Sequence, residues 1–81
     1  MSTSEAALRR AVLRQIRTRW PRAWVLGGRH SVAGVPDFLL CVEGRFLSLE
    51  LKTPTGRVSP IQEVTMQMIR RAGGSAWVIR D

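Results

Sequence analysis

Pro36-Asp37-Phe38-Leu39-Leu40-Cys41-Val42-Glu43-Gly44-Arg45-Phe46-Leu47-Ser48-Leu49-Glu50-Leu51-Lys52 reads as two strands, 36–42 and 45–52, joined by a two-residue turn at Glu43-Gly44. The turn sets the register. Val42 then pairs with Arg45 and Cys41 with Phe46, Leu39 faces Ser48, and Asp37 faces Glu50. Directly opposed residues share a face, with Cβ atoms about 4.5–5.5 Å apart. Two carboxylates placed in this way repel each other, and a divalent cation between them removes the conflict. Hard oxygen donors in this number suit Mg2+ or Mn2+, which keep several waters and complete their coordination with phosphate. Lys52 lies two residues beyond Glu50 and so points to the same side. An ammonium there can orient or help deprotonate an attacking water, or neutralise charge building on phosphate. Leu47, Leu49 and Leu51 alternate onto the other face, where a helix can cover them. The same pattern also fits a half-exposed strand with an ordinary ion cluster on its surface. At the level of pattern both readings stand.

Upstream, residues 4–19 form a helix with Leu8, Val12 and Ile16 on one stripe and Leu13 at its edge. Arg10, Arg14 and Arg17 lie opposite, and Pro21 ends the run. Glu5 continues the apolar stripe rather than the basic face, which points an acid toward the body of the protein. Equally, an acid in the first turn complements the helix dipole. Residues 23–26 read as a short strand ending at Gly27-Gly28, followed by a polar loop through Arg29, His30 and Ser31 to Gly34. Downstream, Pro54 and Gly56 mark a loop over 53–57. A second helix follows, with Ser59 as N-cap and Pro60 at its first position. Ile61, Val64, Met68, Ile69 and Ala72 make its expected buried stripe, and Gly73-Gly74 ends it. Residues 75–80, carrying Trp77 and Ile79, form the last strand. The order is α-β-β-β-α-β, an α/β arrangement with mixed strands. Gln62 stands three residues after Ser59, the spacing of a capping box. Its amide can also approach the carboxylate site, since the helix starts near the end of the Lys52 strand.

Size and charge narrow the class. A chain of 81 residues is expected to be one domain over 1–81, with a thin margin of stability that dimerisation would widen. Thirteen basic against six acidic residues give a net charge of +7, which concentrates polyanions, nucleic acid first among them. No apolar run approaches the ~20 residues that span a bilayer, and the N-terminus lacks the basic start of a signal peptide. Cys41 stands alone, so no internal disulfide or cysteine metal cluster forms; a cytoplasmic setting is expected. Lys52 is the one lysine among twelve arginines. Lysine is a compact point charge that can lose its proton when buried, which suits a specific role beside Glu50.

The ordered set Gly34-Val35-Pro36-Asp37, Leu49-Glu50-Leu51-Lys52 and Ser59-Pro60-Ile61-Gln62 resembles the VRR-Nuc domain of the PD-(D/E)xK nuclease superfamily. Small stand-alone forms from phages and bacteria are the most similar. An ExK alone is a weak signal; the set in this element order, after an early helix glutamate and before a glycine pair, is a strong one. The resemblance implies a restriction-endonuclease-like αβββαβ core with a mixed four-stranded sheet flanked by helices. It implies Asp37 and Glu50 as metal-binding acids, the Leu51 carbonyl as a further ligand, and Lys52 as the catalytic lysine. Glu5 matches the first-helix acid near the metal, acting directly or through water, and Gln62 the glutamine of the extended motif. The implied chemistry is phosphodiester hydrolysis with Mg2+ or Mn2+, in line and by an activated water, and the implied assembly is a homodimer similar to Holliday junction resolvases. No small-molecule cofactor and no membrane are expected, and the setting is a bacterial cell or a phage-infected host. The departures are a short connection between the Asp37 and Glu50 strands and the lack of anything beyond the minimal core.

Arg10, Arg14, Arg17, Arg57, Arg70 and Arg71 are candidates for DNA backbone contacts, which position a duplex without reading its sequence. Arg29 and His30 either approach the scissile phosphate or are ordinary loop residues. Trp20, Trp24 and Trp77 are expected in the core or a dimer interface. The rival readings are a basic DNA-binding module without catalysis and a nuclease that prefers flaps or nicked duplex. The chain opens with methionine and stops after its last strand, so a stand-alone protein is expected rather than a fragment of a larger repair enzyme.

Overall fold

The computed structural model describes residues 4–28 and 31–80. The elements run α1 (Glu5–Arg19), β1 (Trp24–Gly27), β2 (Phe38–Val42), β3 (Arg45–Lys52), α2 (Pro60–Arg71) and β4 (Ser75–Arg80). Ser4 caps α1, its hydroxyl accepting from the Ala7 N–H at 3.1 Å. The strands lie side by side as β1-β2-β3-β4, antiparallel except for the β3–β4 pair, which is parallel. The hairpin closes as its sequence requires. Glu43 and Gly44 both take positive φ, +50° and +79°, the combination that matches strand twist in a two-residue turn. Val42 therefore meets Arg45, and the ladder runs to Phe38 opposite Leu49.

Alternation along this ladder sorts side chains into two layers. Phe38, Leu40 and Val42 of β2 and Leu49 and Leu51 of β3 pack with Leu8 and Ile16 of α1 to form the core. Ser48, Glu50 and Lys52 fall on the opposite face, under α2. On that side Met66 of α2 is buried, as are Ser48 and Ala76, which face each other across the β3–β4 pair.

The orientation of α2 differs from the one its hydrophobic pattern suggests. Ile61, Val64 and Met68 are exposed, and so is Ala72; the inward side is Gln62, Thr65, Met66 and Ile69. Ile69 alone of the expected stripe faces in. The reason is local: Gln62 is tied to Glu50, and Met66, one turn on along the same side, is 2 % exposed. The three tryptophans also lie outside the core, with Trp24 and Trp77 more than half exposed. Trp77 shares a face with Leu49 on the parallel edge strand, where α1 does not fully cover it.

The loop into β2 is fixed by close packing on α2. Gly34 has φ +84°, and a Cβ there would stand 2.8–2.9 Å from Thr65 Oγ1, Ile61 Cγ1 and the Ile61 carbonyl. Gly34→Ala should therefore cost about 1–3 kcal/mol of stability by denaturant titration. Gly44→Ala, at a similar φ with open space around it, should cost less. Equal losses would show that the approach of this loop to α2 is not tight.

Candidate active site

The first residues of α1 and α2, the start of β2 and the end of β3 converge at one end of the sheet. Between them lies an open cavity of about 510 Å³, lined by Glu5, Gly34, Asp37, Glu50, Lys52, Arg57 and Gln62 among others. Sequence reasoning proposed five side chains for chemistry, Asp37, Glu50, Lys52, Gln62 and Glu5, and all five reach this cavity. Leu51 lines it too.

Asp37 sits one residue before the β2 ladder begins, opposite Glu50 in the continued register. Its side chain takes over from the backbone: Oδ2 accepts from the Leu51 N–H at 2.8 Å. Oδ1 accepts from Arg9 Nη2 at 2.9 Å. Glu50 is 4 % exposed. Its Oε1 accepts from Gln62 Nε2 at 3.2 Å and lies 4.0 Å from Lys52 Nζ. Its Oε2 is buried and has no hydrogen-bond partner among the described residues. An unmatched buried carboxylate oxygen is costly, so the proton is held. Burial first, then the neighbouring Asp37 carboxylate, push Glu50 from 4.5 up to about 8, with Lys52 pulling the other way and Glu5 adding a smaller upward push.

Gln62 fills both roles its spacing allowed. Ser59 N–H donates to Gln62 Oε1 at 2.9 Å, and Gln62 N–H donates to Ser59 Oγ at 3.3 Å. The capping box leaves Nε2 free to aim at Glu50. Capping thus orients the amide. Glu5 projects less far inward than its stripe position suggests. Its side chain is 63 % exposed and stands 3.6 Å from Arg9 Nη2 at the rim of the cavity.

The residues present fit a divalent cation at Glu50 Oε2, where a hard cation would supply the partner this buried oxygen lacks. Among the described residues no three His, Cys, Asp or Glu side chains group as a ready metal site, so Asp37 and Glu50 would need further oxygen ligands to complete a shell. That deficit suits an ion such as Mg2+, which is held by one or two carboxylates and substrate phosphate.

Of the arginines proposed for DNA, only Arg57 lines the cavity among the described residues. Its loop is stapled by Arg80, whose Nη1 donates to the Thr53 and Gly56 carbonyls at 3.0 and 2.6 Å. Arg10, Arg14 and Arg17 are exposed along α1, and Arg70 and Arg71 at the far end of α2, on the opposite face of the sheet. Arg70 spends one donor on the Ala76 carbonyl at 2.7 Å. Arg29 and His30 lie outside the described residues. Sequence reasoning missed Arg9, which grips Asp37 directly. The available signal was its position four residues after Glu5, the spacing that joins side chains on one helix face.

The fold defines the class first. A solved structure described as a "VRR_NUC domain" matches with a TM-score of 0.67 at 20% identity, covering 88% of this chain and 82% of that one. This likeness establishes the mixed four-stranded α/β fold. A family model for the VRR-NUC domain matches residues 1–80. The chain belongs to the VRR-NUC domain family, a family of nuclease domains, which makes DNA the class of substrate. Comparison with curated proteins gives no match. Among the described residues no helix is long and apolar enough to cross a membrane.

Proposed function

We propose that this protein is a Mg2+- or Mn2+-dependent endonuclease that hydrolyses phosphodiester bonds in branched or junction DNA as a homodimer. The observation that carries the metal-dependent reading is Glu50 Oε2, buried without a partner beside a second carboxylate in an otherwise basic protein. A purely electrostatic DNA binder has no use for such a pair. Asp37 and Glu50 would hold the cation, with the Leu51 carbonyl as a further ligand. The ion, when bound, would supply a polarised water and a counter-charge for the phosphate.

The remaining work falls to the chain. Gln62 Nε2 holds Glu50 Oε1, so the free oxygen keeps one direction. Lys52 Nζ, half-buried on the Glu50 side of the sheet, is placed to orient an attacking water or to balance charge on the phosphate. Glu5 at the rim is suited to contact through water. Arg57 at the mouth is suited to a phosphate beside the scissile one.

The homodimer rests on surface. The row Trp24–Cys41–Phe46 crosses β1, β2 and β3 on the face that α2 leaves partly bare, and Leu26 lies on the same side. Ile61, Val64 and Met68 add an exposed apolar stripe on α2. So much large apolar surface on an 81-residue chain marks an interaction face. Two copies joined there would give a basic body broad enough for a junction.

The test is cleavage of labelled four-way junction, flap, nicked, linear duplex and single-stranded DNA in Mg2+, Mn2+ or chelator, beside Lys52→Ala. The proposal expects metal-dependent cutting, junctions first, that falls by on the order of 10²–10³ in the variant. Light scattering should give twice the 9.1 kDa chain mass. Salt-sensitive binding with no cutting in either metal would reduce the protein to a DNA-binding module.

A further inference from the structure

Arg9 is the strongest feature that the proposed chemistry leaves unused. It leaves α1 one turn after Glu5, and its guanidinium reaches Asp37 Oδ1 at 2.9 Å. Its carbon lies 5.9 Å from the centre of the Phe38 ring, so the planar group is seated on the residue that follows Asp37. The side chain is 26 % exposed and does not line the cavity. Arg9 therefore reaches Asp37 from outside the lining of the cavity. Across the carboxylate, the Leu51 N–H holds Oδ2 at 2.8 Å. Each oxygen is thus engaged once, and the group is fixed at two points by two different elements.

We infer that Arg9 is a positioning residue that locks the Asp37 carboxylate so that its remaining lone pairs face Glu50 across the cavity. This deepens the metal-site reading given above and depends on it. A cation so close to a metal ligand has two opposed effects: it repels the incoming ion, and it fixes the ligand's orientation. The geometry favours the second. The guanidinium is not part of the cavity lining, whereas a carboxylate held only by one N–H would rotate about its last torsion. Partners of this outer kind commonly govern metal affinity by about 10–100-fold. Arg9 also links α1 to β2, so the position of Glu5 at the rim and that of Asp37 are set by one side chain.

The test is Mn2+ affinity, read by electron paramagnetic resonance on the full chain, for the wild type, Arg9→Gln and Arg9→Lys, with circular dichroism to report folding. Arg9→Gln should bind Mn2+ about tenfold more weakly. Arg9→Lys keeps the charge without the planar fork, so it should also bind more weakly than the wild type, by about threefold. Should the glutamine variant fail to fold, the lysine variant decides. Unchanged or tighter Mn2+ binding in folded Arg9→Gln, or wild-type binding in Arg9→Lys, overturns the assignment. Failure of the wild type itself to bind Mn2+ would instead overturn the metal reading of the site.

Discussion

Glu50→Gln is expected to make the metal-free protein more stable while it abolishes cleavage. Glu50 is held in a buried place where one oxygen has no partner and the neighbouring group is another carboxylate. A neutral amide of the same shape removes the buried charge and brings an N–H donor that can face Asp37. Near pH 8 the gain should be about 1–3 kcal/mol in a denaturant titration in chelator. The amide is a poor ligand for a hard cation, so cleavage should fall by on the order of 10³ or more. Opposite changes in stability and activity are the mark of a residue kept for function against the interest of the fold. A variant less stable than the wild type near pH 8 would mean that Glu50 is a structural residue satisfied where it stands.

Stability without metal should fall as pH rises through the neutral range. Below about 4.5 the folded and unfolded chains both carry the Glu50 proton. Between about 4.5 and about 8 the unfolded chain releases it while the folded chain retains it. The unfolded state then binds fewer protons, so the unfolding free energy declines with pH across that window and levels off above it. Adding Mn2+ or Mg2+ should reverse the trend, because the ion takes the place of the proton and its affinity rises with pH. Calorimetric titration at pH 7 in buffers of different ionisation enthalpy should show close to one proton released per ion bound. A midpoint in chelator that is flat between pH 5 and pH 8, with no proton release, would contradict the burial and pairing of Glu50.

The hairpin was legible because alternation and a two-residue turn leave one register open. Once Val42 meets Arg45, Asp37 must stand opposite Glu50, and Lys52 must share Glu50's face. The caps were legible for a similar reason: Ser59, Pro60 and Gln62 occupy positions with specific chemistry. Hydrophobic periodicity failed on α2. Ile61, Val64 and Met68 form its most apolar stripe, yet the helix turns Gln62 and Met66 inward. A pattern of apolar residues shows that a face wants cover without saying whether the cover is the chain's own sheet. For the same reason the strand and element-end positions of Trp24 and Trp77 left core and dimer interface both open, and the fold leaves both side chains exposed. Arg9 was hard to single out because it is one of twelve arginines: its i,i+4 spacing from Glu5 pairs it with that acid, but only the folded structure brings it to Asp37. Glu5 was placed on the correct side of α1, but its position in the first turn leaves it at the rim.

The most direct measurement is a crystal structure of the wild type grown with Mn2+, with data collected at the manganese edge. An anomalous peak is expected about 2.0–2.2 Å from one oxygen each of Asp37 and Glu50, with the Glu50 Oε2 atom as a ligand. Well-ordered Asp37 and Glu50 side chains with no manganese peak between them would contradict it.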